Sequence, residues 1–175
     1  SIFFGNNKTL KNFNIDSDTT NATTSTTDTN GKGIIIPTNL DGSRFIGNNK
    51  TLMNIDSDSD SDNVKVGIFP SVKSSIISCL NIDNCSITGS GTYIGGISGY
   101  TNNYSTITNC TIGDNCSITG SGIYIGGISG YTETYSIITN CTIGDNFSIT
   151  GSGSYIGGIS GYTNNYSTIT NCTIG

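Results

Sequence analysis

Isoleucine recurs over most of the chain in short clusters punctuated by glycine, asparagine and aspartate, and the clusters themselves recur. Cys85-Ser-Ile-Thr-Gly-Ser-Gly returns as Cys116-Ser-Ile-Thr-Gly-Ser-Gly and as Phe147-Ser-Ile-Thr-Gly-Ser-Gly, at spacings of 116 − 85 = 31 and 147 − 116 = 31. Tyr93-Ile-Gly-Gly-Ile-Ser-Gly-Tyr100 and Thr106-Ile-Thr-Asn-Cys-Thr-Ile112 repeat at the same period. A degenerate copy covers 64–84: Gly67-Ile-Phe-Pro70 stands where Gly96-Ile-Ser-Gly99 stands later, and Cys79 precedes Cys110 by 31. Further upstream, Phe4-Gly-Asn-Asn-Lys-Thr-Leu10 returns as Ile46-Gly-Asn-Asn-Lys-Thr-Leu52, a spacing of 47 − 5 = 42. The pattern divides the chain into irregular N-terminal coils at 1–63, with long polar loops at about 16–32 and 56–63, and repeats over 64–175. The latter divide into 64–84, 85–115, 116–146 and 147–175.

β-Branched residues favour strands, and Gly, Asn and Asp favour sharp bends. Ordering 31 residues costs several times what burying about six Ile or Cys side chains returns, so one unit cannot fold alone. Stacking closes the gap, because each coil bonds to the coils above and below. The expected fold is all-β: a right-handed parallel β-helix (β-solenoid) with about one triangular coil per 31-residue repeat, rising about 4.8 Å per coil. Equivalent residues then form columns, such as Ile97/Ile128/Ile159 and Ile107/Ile138/Ile169. In Ile107-Thr-Asn109-Cys110 the apolar residues have the wrong parity for one flat strand. A left-handed Asn109 would turn the chain so that both Ile107 and Cys110 face inward. Asn109, Asn140 and Asn171 would form an inaccessible amide ladder inside that turn. Cys79, Cys110, Cys141 and Cys172 would share one column, and Cys85, Cys116 and Phe147 another. The Gly95-Gly96 pair would similarly let Ile94 and Ile97 both face inward, with a bulge as the alternative.

Composition narrows function more than fold. Ala22 is the only alanine, Glu133 the only glutamate, and glutamine is absent, which removes most good helix formers. The net charge is −5 with no basic cluster, so neither nucleic acid nor an anionic membrane is an expected partner. No apolar run approaches the roughly 20 residues that would insert in a bilayer.

The block Ile94-Gly-Gly-Ile-Ser-Gly-Tyr100, followed by Ile107-Thr-Asn-Cys110 and Ile118-Thr-Gly120, resembles the GLUG repeat of bacterial surface proteins. Asp41-Gly-Ser-Arg-Phe-Ile-Gly-Asn-Asn-Lys-Thr-Leu-Met-Asn54 with Val66-Gly-Ile-Phe69 resembles the lead-in to such arrays. The resemblance implies a repeat segment of an adhesin or other large surface protein, and no catalytic residues. Ser98 departs from it, standing where the family often has an aliphatic residue.

The chemistry on offer fits that expectation. Phe147 in the second cysteine column suggests a slot that wants an apolar group; buried thiols and disulfides between coils are both open readings, while zinc is disfavoured by the absence of His and of Cys-x-x-Cys. Asp56-Ser-Asp58-Ser-Asp60-Ser-Asp62 begins like an EF-hand loop, but Ser61 and Gly67 stand where glycine and glutamate are needed. The regular coils offer only Asp83, Asp114, Asp145 and Glu133 as acids, so no catalytic residue, metal ligand or cofactor site is assigned and no enzyme is expected. Tyr93/Tyr124/Tyr155, Tyr100/Tyr131/Tyr162 and Tyr104/Tyr135/Tyr166 form three columns that either staple coils together or offer platforms for sugar rings. The candidate glycan contacts are Tyr100, Asn102, Asn103, Tyr104, Tyr131, Tyr162 and Tyr166. The expected function is structural or adhesive: a segment of a larger extracellular, cell-surface or virion-surface protein or fibre. Its partners would be copies of itself or further repeats end to end, and surface glycans. The alternatives are a carbohydrate-binding or polysaccharide-degrading, tailspike-like β-helix and, more remotely, an ice-binding solenoid using its threonine rows.

Overall fold

The computed structural model describes the backbone of residues 2–4, 13–16, 24–27, 33–36, 39–59 and 65–175, and the side chains of 39–47, 49, 52 and 65–175. Among these residues there is no helix. Each regular coil contains five short strands, which in the first run Tyr93–Gly95, Ser98–Asn102, Thr106–Thr108, Thr111–Ile112 and Ser117–Gly120. All five pair in parallel with their copies one coil on. Ile94 lies beside Ile125, Tyr100 beside Tyr131, Ile112 beside Ile143, and Ile118 beside Ile149. Ile107 lies beside Ile138, and Ile138 beside Ile169. The strands stack into three parallel sheets, of four, five and twelve strands. The molecule is therefore a β-solenoid in which like residues touch like, as the 31-residue period requires.

The coil's bends have identifiable causes. Asn109, Asn140 and Asn171 take φ of 53°, 54° and 52°, the left-handed region that asparagine tolerates. Ile107 and Cys110 both face the core as a result, and both are fully buried. The amide ladder does not form. The three asparagine side chains are exposed, and what joins them is backbone: the N–H groups of Asn109 and Asn140 donate to the carbonyls of Thr139 and Thr170 at 3.1 and 3.2 Å. A residue placed there for its φ has no need to point inward.

At the other bend, Ile94 and Ile97 are both buried, but neither Gly95 nor Gly96 has a positive φ. Glycine is required there by proximity. A Cβ on Gly96 would overlap the carbonyl oxygen of Gly127, and one on Gly127 would overlap that of Gly158.

The upstream coils depart from the strict repeat. Ser78 pairs with Thr108 and Asn81 with Thr111, both 30 residues apart, so one residue is missing relative to the later coils. Cys79 consequently falls in the asparagine column, with φ of 54°, and Leu80 takes the slot of Cys110. The four-cysteine column is really Leu80, Cys110, Cys141 and Cys172. The strand Arg44–Ser59 pairs with Ile76–Gly89, and the 42-residue spacing appears as Phe4 beside Ile46 and Phe13 beside Ile55. Asp56–Ser59 continues that strand instead of opening a loop, because Ser86–Gly89 offers it a full set of ladder partners. Residues 60–63 lie outside the described residues. Within the polar stretch 16–32, Thr24–Thr27 pairs antiparallel with Gly33–Ile36.

Inside the solenoid, one cluster gathers Phe69, Ile77, Leu80, Ile97, Ile107, Cys110, Ile138 and Cys141, and a second gathers Val66, Ile87, Ile94, Ile118 and Ile125. The core is not wholly apolar. Ser98, Thr101, Ser129 and Thr132 are completely buried on the second sheet.

Candidate functional site

Strand alternation that turns Ile94 inward turns Tyr93 outward, and the same holds for Thr101 and Tyr100. Gly130 lets the two strands meet: a Cβ there would lie 2.6 Å from the Ile94 nitrogen. The close approach brings two tyrosine columns together along the solenoid. Tyr93, Tyr124 and Tyr155 stack with centroids 5.5 and 5.1 Å apart, and Tyr100, Tyr131 and Tyr162 stack at 5.4 and 5.1 Å. The columns then interlock edge to face, with Tyr131 against both Tyr93 and Tyr124 at 86° and 88°. Edge-to-face pairs suit the ring quadrupole, and each contributes about 0.5–1.5 kcal/mol beyond its buried area.

Polar groups finish this zipper at its upstream end. The Lys65 ammonium sits 4.4 Å from the Tyr100 ring centroid, and the Tyr100 hydroxyl donates to the Glu133 carboxylate at 2.6 Å. Burial, reinforced by the hydrogen bond to Glu133, pushes the Tyr100 phenol pKa up. Burial lowers that of Lys65, partly opposed by Glu133. Glu133-Thr134 replaces Asn-Asn in the sequence, and its place in this zipper shows what the substitution does.

The third column is different. Tyr104, Tyr135 and Tyr166 sit at the next corner, with φ of 63°, 59° and 63°. Their rings are parallel to within 3° and 13°, at 5.1 Å spacing, and 71%, 45% and 74% exposed. Each is followed by an inward serine. Ser105 is fully buried and donates to the carbonyls of Val72 and Asn102, at 3.1 and 2.5 Å. Ser167 donates to the Glu133 carbonyl at 2.8 Å.

The seven residues singled out for glycan contact thus divide. Tyr100, Tyr131 and Tyr162 belong to the interlocked zipper, whereas Tyr104 and Tyr166 belong to the exposed corner stack together with Tyr135. Asn103 is exposed beside Tyr104, and Asn102 is half-buried with an unpaired Oδ1. Among the described residues no ring contact joins the two tyrosine groups. Because the corner rings stack on one another, their inner faces are covered. Edges, hydroxyls and the two end faces are what they present.

Reading the sequence missed the inner hydroxyl pairs. The Thr101 and Ser129 hydroxyls lie 3.0 Å apart, as do those of Thr132 and Ser160, so the later copies of Ser98 are each matched to a threonine one coil away. The signal was the shared spacing of Ser98 and Thr101 from coil to coil.

The cysteines are unbridged. The Cys85 backbone N–H donates to the Cys116 sulfur at 3.3 Å, and the Cys110 and Cys141 thiols donate to the carbonyls of Thr108 and Thr139 at 3.2 and 3.4 Å. The neighbouring thiol one coil on, together with burial, pushes the Cys85 and Cys110 pKa values up, and burial raises Cys172. Neutral buried thiols are poor nucleophiles and poor metal ligands. Among the described residues no three His, Cys, Asp or Glu side chains gather as a metal site, and no helix is long and apolar enough to cross a membrane. The outward threonine row is interrupted where Ile137 pairs with Thr106 and Thr168. The Thr139–Thr170 and Thr142–Thr173 hydroxyls bond to each other, at 3.1 and 3.3 Å.

No curated protein and no solved structure matches the chain. A family model described as the GLUG motif matches residues 121–150, the segment that holds Ile125-Gly-Gly-Ile-Ser-Gly-Tyr131 and Ile138-Thr-Asn-Cys141. The chain is a β-solenoid carrying the GLUG motif.

Proposed function

We propose that this chain is a structural and adhesive segment of a larger extracellular or surface protein or fibre, acting without catalysis. One observation carries the reading: every strand of the regular coils lies in register over its copy, so equivalent side chains form continuous columns parallel to the stacking direction. A rod built that way holds surface groups at fixed intervals and resists bending, as a stalk or fibre must. The Glu133 carboxylate is engaged by the Tyr100 hydroxyl. Surface glycans are the ligand class that exposed tyrosines flanked by asparagine amides suit best.

Two measurements test this. Negative-stain electron microscopy should show elongated particles; compact globules would overturn the structural reading. Glycan-array binding should fall on Tyr104→Ala and Tyr166→Ala, and an array without binding would remove the adhesive part alone.

A further inference from the structure

The corner stack combines features that structural packing does not require. Left-handed backbone is unusual for a bulky residue, and such outliers cluster at functional sites. The asparagine corner shows how the same fold makes a left-handed bend with a residue that tolerates it. Three successive coils nevertheless place tyrosine there, keep it exposed, and align the rings to within 3° and 13° at 5.1 Å. The upstream coil has no ring at the corresponding corner; Ser74 is there, with φ of 48°. The six zipper tyrosines, by contrast, are held by neighbours on face and edge.

We propose that Tyr104, Tyr135 and Tyr166 are a site of oxidative tyrosine cross-linking, at which adjacent coils become joined by a carbon–carbon bond. Each of two neighbouring phenols gives one electron to the oxidant and its phenolic proton to solvent. The two phenoxyl radicals then join through ring carbons ortho to oxygen. The hydrogen on each joined carbon is lost as a proton and the phenolic oxygen is reprotonated, which restores both aromatic rings. The two electrons and two protons released reduce hydrogen peroxide to two waters through a haem peroxidase, the class of oxidant the step needs. Stacked neighbours already lie within side-chain reach, and exposure lets each ring rotate to bring the two carbons together. Tyr135 is the shared partner, since Tyr104 and Tyr166 are two coils apart. The product is a covalent rung between coils that backbone hydrogen bonds and side-chain packing otherwise hold.

The test is treatment of the intact chain with peroxidase and hydrogen peroxide at low protein concentration, followed by dityrosine fluorescence and peptide mass mapping. The expected product is a monomer lighter by two hydrogen atoms, with the link mapped to Tyr104–Tyr135 or Tyr135–Tyr166. Tyr135→Phe should remove at least nine-tenths of the monomer fluorescence (about a tenfold loss), whereas Tyr104→Phe or Tyr166→Phe alone leaves the other link. Tyr124→Phe, in the zipper, should leave the yield unchanged. Circular dichroism of each variant establishes that it is folded. Links confined to the zipper, links only between molecules, or a yield indifferent to Tyr135→Phe would each overturn the proposal.

Discussion

The coil that begins at Val66 and the one that begins at Ile94 follow the same path, yet they fill it differently. Along the second sheet the upstream coil turns Phe69 and Val72 inward where the next coil turns Ser98 and Thr101. A buried hydroxyl needs a partner, and in the regular coils Thr101 meets Ser129 and Thr132 meets Ser160. Ser98 faces the apolar coil instead. The threonine that would meet it is Val72, and its Oγ is buried without a hydrogen bond. A repeat of this kind makes the Thr–Ser pairing for all its copies at once, and the serine that the pairing leaves unmatched falls at the seam where repetition begins; the Ser90 and Ser136 hydroxyls, within the regular coils, are also buried without a hydrogen bond. The same seam carries the shortened coil, 94 − 66 = 28 residues from Val66 to Ile94 against 125 − 94 = 31 from Ile94 to Ile125, and the start of the corner tyrosines.

The comparison can be broken most severely at Gly127. A Cβ there would overlap the Gly158 carbonyl oxygen and the Ile143 side chain, and backbone in a stacked coil cannot yield. Gly127→Ala should lower stability by about 3 kcal/mol or more, or abolish cooperative unfolding in urea. Ile138→Ala should cost about 2–5 kcal/mol in the same assay. Ile169→Ala should cost less, since Ile169 is only partly buried. The hydroxyl account is sharpened by a pair of substitutions with opposite signs. Ser129→Ala strands the Thr101 hydroxyl and should destabilise by about 1–3 kcal/mol. Val72→Thr gives Ser98 its missing partner and should raise stability by about 0.5–1 kcal/mol.

The smallest effect concerns the zipper at alkaline pH. The Tyr100 pKa is raised in the fold, so the neutral phenol is favoured there. Its contribution is complete below the unfolded phenol pKa of about 10 and is lost as pH rises from there through the higher folded value. The chain's denaturation midpoint should therefore decline above about pH 10, with a shallower decline in Tyr100→Phe. An unchanged slope would mean that Tyr100 does not carry it.

Much of this was legible in the sequence because the controlling variables are local. Parity around Asn109 foretold a left-handed bend, and the identical spacing of Ile107 and Ile138 foretold their pairing. What failed was inference from counting across a length change. Cys79 lies 31 residues before Cys110, but the coil between them is one residue short, so Leu80 occupies the column and Cys79 the bend. The direction of a corner side chain was equally hidden, since φ fixes the backbone at Asn109 without dictating where its amide points. The acid run at Asp56–Ser59 reads as solvated loop by composition, yet a neighbouring strand supplies its ladder. Composition is a weak guide where stacking decides. For the candidate site, the three tyrosine columns were visible as periodicity. Their division into a locked zipper and an exposed stack depends on the approach of Gly130 to Ile94, which only the folded chain contains.

The central claim is that successive units lie directly over one another. Its most direct test is a methyl–methyl nuclear Overhauser spectrum of the isoleucine-labelled chain in solution. The account predicts a continuous series of cross-peaks Ile77–Ile107–Ile138–Ile169, with Ile107 and Ile138 each joined to an equivalent on both sides. A spectrum in which Ile107 contacts neither Ile77 nor Ile138 would contradict it.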